Sequence, residues 1–261
     1  MFIHNNGEME AEWSFDDRAD TYDMLTWVHD QSLLRTMVNL ISEGALLRAR
    51  TILDVATGTG AVARALAREK GHLIGLDLSR PMLERAAHRH SLAKVWYLRA
   101  RGEVLPIKDG TIDILICRNG LHQMLEPGLA LREFGRVLSP FGLICVIESV
   151  APPDPVKSYW RKIILLKDRG RHPDFTFTAR ELEAWIEEYG LDVLRVVSKD
   201  VLFDVDEWIT MGGVTGARAE EVRQLFERAD TGTKSEMGIT WNDGQLLAKK
   251  VSHMVLARPR A

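Results

Sequence analysis

The segment Ile52-Leu53-Asp54-Val55-Ala56-Thr57-Gly58-Thr59-Gly60 restricts the possible folds of this chain more than any other. A short apolar strand runs straight into a glycine-containing turn, and Ala61 to Ala67 then opens a helix. Glycine is needed where backbone takes positive φ or must let another group come close. Strand, glycine turn and helix in direct succession form the first unit of a doubly wound sheet, whose ligands sit at the carboxyl ends of its strands.

The pattern repeats along the chain. Thr51 to Val55, His72 to Leu76, Val95 to Leu98, Ile112 to Cys117 and Leu143 to Ile147 read as strands, followed later by Leu191 to Val197 and Leu246 to Ala257. Helical spacing relates Leu34, Met37, Val38 and Ile41, and again Ala130, Phe134, Val137 and Leu138. Ser79 offers an N-cap to a helix with Pro81 in its first turn and Leu83, Ala86 and Ala87 on one face. Thr178-Ala179-Arg180-Glu181 is a capping box opening a helix that buries Leu182, Trp185, Ile186 and Tyr189 and stops at Gly190. Val222, Leu225, Phe226 and Ala229 mark one further helix. Strands alternating with helices of this length predict an α/β fold, doubly wound, with a mostly parallel sheet covered on both faces. We expect a single domain over 1–261. Residues 1–48 form an N-terminal helical cap and 49–150 the ligand-binding core. Residues 151–261 complete the sheet and add lid insertions at about 152–177 and 204–240.

Composition narrows the function. Lysine and arginine number 34 against 37 acidic residues, a net charge of −3, which argues against a chain built to grip nucleic acid or an anionic membrane. The two cysteines, Cys117 and Cys145, lie in apolar runs and read as buried thiols, with neither a disulfide framework nor a metal-ligand spacing. No dense carboxylate or histidine cluster suggests a metal. Met1 to Trp13 does not read as a secretory signal and no apolar run reaches membrane-spanning length, so a cytoplasmic location is expected.

Gly58-Thr59-Gly60-Ala61-Val62-Ala63 also satisfies G-x-G-x-x-A, a dinucleotide fingerprint that is weak alone and leaves a nicotinamide-dependent oxidoreductase open. Two carboxylates bear on the choice. Asp54 lies just before the turn, where it repels a pyrophosphate but suits a ligand carrying an ammonium and a sulfonium. Asp77 closes the second strand, placed to accept from ribose hydroxyls, which fits either ligand.

These residues resemble motif I and the following acidic position of the class I S-adenosylmethionine-dependent methyltransferases. Arg101-Gly102-Glu103-Val104-Leu105-Pro106 with Asp109-Gly110-Thr111-Ile112-Asp113 is similar to that family's D-A-E-x-L-P…D-x-S-F-D. Leu121-His122-Gln123 resembles its L-H-H, and Leu138-Ser139-Pro140-Phe141-Gly142 its L-K-P-G-G. The likeness spans roughly residues 50 to 150. Asp54-Val55-Ala56 and Ile147-Glu148-Ser149 look closest to the quinone-biosynthesis C-methyltransferases and related small-molecule enzymes. The resemblance implies a Rossmann-like seven-stranded sheet in the order 3-2-1-4-5-7-6. It implies S-adenosyl-L-methionine as cofactor and a small organic acceptor methylated at carbon or oxygen. A non-catalytic cofactor-binding or partner-binding protein of the same fold is the alternative.

Carried over by resemblance, Asp54, Ala56, Gly58 and Gly60 would cradle the methionine part and Asp77 the ribose. Leu78 and Met82 would pack the adenine or its sugar, and Gly102 with Glu103 would line the adenine edge. Backbone at Cys117 and Arg118 would meet the methionine amino group, and Tyr22 would close over it. Arg101 departs from the pattern, standing where the family usually has an aspartate; it offers no acceptor to the adenine amine. Two histidines are candidate catalytic groups. His122 follows the fourth strand and His172 lies in the loop Arg169-Gly170-Arg171-His172-Pro173. A packing or capping role for His122 and a solvated loop for His172 are the alternatives. Glu148, ending the fifth strand, is a further candidate for touching the acceptor. Trp185 reads as core, whereas Trp160, Trp208 and Trp241 could line a lid.

Overall fold

Short apolar runs alternating with helical segments decide the architecture. In a computed structural model, residues 2–3, 16–66, 71–89, 95–168 and 176–260 are described. The first part of the chain runs β1 (Phe2–Ile3), α1 (Ala19–Tyr22), α2 (Gln31–Ile41), α3 (Glu43–Arg48), β2 (Thr51–Val55), α4 (Ala61–Leu66) and β3 (His72–Asp77). It continues through α5 (Arg80–Arg89), β4 (Val95–Arg99), β5 (Ile112–Arg118), α6 (Pro127–Val137), β6 (Leu138–Val150) and α7 (Val156–Lys167). The remainder is α8 (Ala179–Glu188), β7 (Leu191–Asp204), α9 (Val205–Met211), α10 (Gly216–Arg228), α11 (Thr231–Glu236), β8 (Thr240–Asn242) and β9 (Gln245–Pro259).

Among the described residues the sheet has nine strands in the order β1-β4-β3-β2-β5-β6-β9-β7, with β8 hairpinned onto β9. Setting aside the short β1 and β8, this is the expected order 3-2-1-4-5-7-6. Strands β2 to β6 pair in parallel, and β9 is antiparallel to both neighbours. Both faces are covered. Leu53, Val55, Leu115, Cys117 and Val146 pack against α6 and α8, while Ile52, Ile114, Ile116, Cys145 and Ile147 pack against α2 and α4. Cys117 and Cys145 therefore point to opposite faces as free, buried thiols. Burial pushes both thiols up, Cys145 to about 12, so neither is a thiolate near neutral pH.

Strands β3, β4 and β5 run one residue past their sequence bounds, and three others extend further. The last two long strands reach Asp204 and Pro259, and β6 begins at Leu138, before a register shift opposite Ile112 and Ile114. The extension of β7 contains Ser198-Lys199-Asp200, polar residues that an edge strand tolerates because one side faces water. This long β7–β9 pair carries a helical cluster of its own. Helices α7, α9 and α10 bury Trp160, Ile163, Trp208, Val222 and Phe226 against Phe203 of β7. Trp160 stacks on Trp208 at 5.7 Å between centroids, and Phe226 meets Trp208 edge-on at 6.0 Å. Trp160 and Trp208 thus form this cluster's core rather than a cavity wall, and Trp241 is 56% exposed beside Arg223.

The capping box at α8 is formed: Thr178 Oγ1 accepts from the Glu181 amide at 3.3 Å and Glu181 Oε2 from the Thr178 amide at 2.7 Å. Thr178→Ala removes one half of that exchange. We expect a loss of about 1 kcal/mol and a midpoint about 2–4 °C lower in thermal denaturation. An unchanged midpoint would show that tertiary packing alone holds this helix. No helix among the described residues is long and apolar enough to cross a membrane.

Candidate active site

The strand order reverses direction between β2 and β5, and a cleft opens there at the carboxyl ends of β2, β3, β4 and β5. It measures about 960 Å³ counted to its open mouth, within the range of small-ligand sites. Its walls include Tyr22, Ala56, Gly58, Asp77, Leu78, Met82, Gly102, Glu103 and Arg118. A smaller annex behind the glycine turn is lined by Tyr22, Asp54, Ala56, Thr57, Gly58 and Arg118. Ten of the cofactor residues expected from sequence thus line one connected cleft and annex. Gly60 and Cys117 are not among the lining residues. The Gly60 amide closes the turn on Thr57 O at 2.9 Å, and the Cys117 side chain is core. His172 lies outside the described residues.

The turn owes its shape to a few local demands. Gly58 has φ +53°, and its amide donates to Asp77 Oδ2 at 2.8 Å. The other oxygen of Asp77 accepts from the Ser79 amide at 2.9 Å. One carboxylate therefore fastens the glycine turn to the end of β3 while lining the cleft. Burial raises its pKa, with the Ser79 and Gly58 amides pulling it back. Asp54 is 1% exposed and accepts from Thr57 Oγ1 at 2.6 Å. Burial pushes its pKa up to about 7, against the Thr57 hydrogen bond and the Arg118 charge, which favour the carboxylate. A Cβ at Gly120 would lie 2.4 Å from Ala56 Cβ, so the loops after β2 and β5 touch closely enough to require glycine there.

The N-terminal segment closes one side. Thr59 Oγ1 donates to Asp23 Oδ1 at 2.5 Å and Ser79 Oγ to Asp16 Oδ1 at 2.6 Å. Arg85 pairs with Asp20, and Arg18 Nη2 reaches Asp168 of the α7 end at 3.1 Å. Tyr22 thereby lies over Gly58, 3.8 Å from where that residue's Cβ would stand. Burial raises the Tyr22 phenol, and Arg118 opposes this. Arg118 is buried and donates from Nη1 to Val28 O at 3.0 Å. Its own pKa is lowered by burial despite Tyr22 and Asp54.

On the far side of β5, Glu148 is fully buried. Its Oε1 accepts from the Leu121 amide at 2.8 Å and its Oε2 is engaged by His122 Nδ1. His122 follows Gly120 and precedes Gln123, both of which line the cleft, but its own side chain is turned toward Glu148. Sequence reasoning named both residues without seeing that they pair. It missed two lysines, Lys167, which is buried, and Lys250, which is half-buried. Lys167 Nζ lies 3.0 Å from Asp168 Oδ1 and 4.5 Å from the centre of the Trp208 ring. Burial lowers the pKa of Lys167, with Asp168 opposing. Lys250, on β9, is pushed well below the usual lysine range by burial, with Arg118 and Lys167 adding to the effect and Glu148 opposing it. The polar run Lys249-Lys250 gave no hint, because only the pairing of β9 with β6 and β7 brings it near this edge.

Comparison with known proteins agrees with this geometry. The family described as "Methyltransferase domain" matches residues 53–146. The ubiquinone/menaquinone biosynthesis C-methyltransferase UbiE of Syntrophotalea carbinolica is 36% identical over 147 residues, 54% of this chain and 62% of that protein. The chain thus aligns with about three fifths of that relative's length. The demethylmenaquinone methyltransferase of Lactiplantibacillus plantarum is 30% identical over 175 residues, 61% of this chain and 69% of that one. The crystal structure of YcgJ from Bacillus subtilis superposes with a TM-score of 0.78 at 24% identity, over 87% of this chain and 99% of that one. With sheet order, cleft and relatives in agreement, the chain belongs to the class I S-adenosylmethionine-dependent methyltransferases, on the side of the UbiE-like enzymes.

Proposed function

We propose that this protein transfers the methyl group of S-adenosylmethionine to carbon or oxygen of a small organic acceptor, with the cofactor in the cleft over the Gly58 turn. The observation that carries this reading is the pair of carboxylates, Asp54 and Asp77, on either side of that turn. Burial holds the Asp54 carboxyl near neutrality despite the Arg118 charge, and a ligand ammonium would add a further cationic partner. A pyrophosphate in the same place would meet Asp54, whereas Asp77 suits the ribose of either ligand.

In this reading Asp54 and the Gly58 turn hold the methionine end, Asp77 takes the ribose hydroxyls, and Leu78, Met82 and Met124 enclose the base. Bound cofactor supplies an electrophilic methyl on a sulfonium sulfur. Tyr22 and the N-terminal segment would cover the methionine end and keep water out. Excluding water and aligning the acceptor are the main tasks the chain must perform in such an in-line displacement. An oxygen acid or enol also needs a base. His122 is the candidate: in the tautomer that donates Nδ1–H to Glu148, the ring's other nitrogen, Nε2, is the basic one. His172 is the second candidate from the sequence. The likeness to quinone methyltransferases makes an aromatic hydroquinone a sensible first acceptor.

The test is turnover with S-adenosylmethionine and a panel of hydroquinones and catechols, reading release of S-adenosylhomocysteine and locating the methyl by NMR. Methylated product is the expected result, with His122→Ala slowing kcat by about 10²–10⁴ if it acts as the base. Cofactor binding without product on any acceptor of the panel would instead support a non-catalytic binding protein.

A further inference from the structure

The two ends of the cleft differ in chemistry. Asp54 and the glycine turn mark one end and Asp77 the middle, which leaves the stretch between Leu78, Met82, Met124 and Leu125 for the purine. The walls there are apolar. The polar side chains at this end are Arg101, Glu103 and Gln123. Glu103 is largely committed: Oε1 accepts from the Leu125 amide at 3.0 Å and the Glu126 amide at 3.5 Å, and its side chain is 8% exposed. Gln123 can present either end of its amide. Arg101 is different. Its Nη2 lies 3.4 Å from Glu103 Oε1, at the outer limit of a hydrogen bond, and its side chain is 35% exposed at the mouth.

We propose that Arg101 makes the purine end of this pocket tolerant of an oxygen at C6, so that the chain binds the 6-oxopurine S-inosylhomocysteine about as well as S-adenosylhomocysteine. This rests on the assignment of the cleft to the cofactor. A guanidinium carries five N–H donors and no acceptor. Against adenine it faces an exocyclic amine, donor to donor, and can address only the ring nitrogens. Against a 6-oxopurine it meets O6 and N7, two acceptors spaced for its planar fork, the pairing by which arginine reads guanine. An aspartate in this place would reverse the preference, accepting from the amine and repelling the carbonyl. The adenine form still binds because the part-exposed guanidinium can turn to N7 alone while the amine stays hydrated, and the N1–H that a 6-oxopurine has in place of adenine's N1 acceptor offsets part of the O6 pairing, so the two forms bind comparably.

Calorimetric titration of the wild type, Arg101→Asp and Arg101→Ala with the two homocysteine nucleosides tests this. Wild type should bind both within about threefold of each other. Arg101→Asp should favour the adenine form by about tenfold or more, a difference of about 1.4 kcal/mol, with Arg101→Ala between. The ratio is internal to each variant, so a change in overall affinity or stability does not disturb it. A wild-type protein that rejects the inosyl form by more than about tenfold, or an Arg101→Asp ratio equal to the wild-type ratio, overturns the proposal. Failure of both nucleosides to bind wild type would remove the cofactor assignment itself and this inference with it. Binding of the adenine form with strong rejection of the inosyl form removes only the inference.

Discussion

Asp77→Ala should weaken S-adenosylhomocysteine binding by about a hundredfold, or about 2.7 kcal/mol, in calorimetric titration. Two losses combine in that figure. The variant removes the acceptor proposed for the ribose hydroxyls, and a charge-assisted hydrogen bond of this kind contributes about 1.5–3 kcal/mol. It also releases the amides of Gly58 and Ser79, which Asp77 holds at 2.8 and 2.9 Å, so the turn loses its anchor to β3. Asp77→Asn separates the two, since its side-chain oxygen can still take one amide while its NH₂ group faces the other. We expect Asn to lie between wild type and Ala. An unchanged affinity for Asp77→Ala, with the fold intact by circular dichroism, would falsify the placement of the ribose.

Binding should also become pH-dependent through Asp54. In the free protein this group has a pKa of about 7 because it is buried, so near pH 6 it is mostly the neutral acid. Pairing with a ligand ammonium needs the carboxylate, and the proton must leave. At pH 6 about 0.9 proton should be released per ligand bound, falling toward about 0.1 at pH 8, as the fraction protonated dictates. Affinity should drop by up to about tenfold per pH unit below 7. The ligand's own α-amino group, ordinarily near 7.7–8.0, takes up a proton on the alkaline side. The diagnostic is therefore the difference between wild type and Asp54→Asn in buffers of different ionisation enthalpy. Equal proton release from the two proteins at pH 6 would refute the role of Asp54. The same shift bears on the free fold. Its folded pKa is raised above the unfolded value, so the group's contribution to stability is full below about pH 4 and is lost as pH rises through 7. Asp54→Asn should flatten that dependence in apo-protein melting curves.

Much of the cofactor side was legible before any coordinates. Asp54, Gly58 and Asp77 stand within or directly after two strands, and the strand period together with the turn brings them to one sheet edge without further help. The near-continuous apolar runs of Ile52 to Val55 and Ile112 to Cys117 announced strands buried on both faces, and both faces are covered. Less was legible where polar residues do structural work. Ser198-Lys199-Asp200 hid half of β7, and the tryptophans of α7 and α9 proved to pack on each other.

The reversal point between β2 and β5 was implied by the family resemblance; what the residues themselves determined was the strand–helix alternation of a doubly wound sheet and the charge character of the turn. Each of these follows from residues a few positions apart, where chain geometry leaves little freedom. Tertiary structure alone decided the rest. Asp23 meets Thr59 across 36 residues, His122 meets Glu148 across 26, and Arg18 meets Asp168 across 150. Contacts at such separations depend on how helices and strands dock, and no local pattern in the chain encodes which distant partner a buried charge will find.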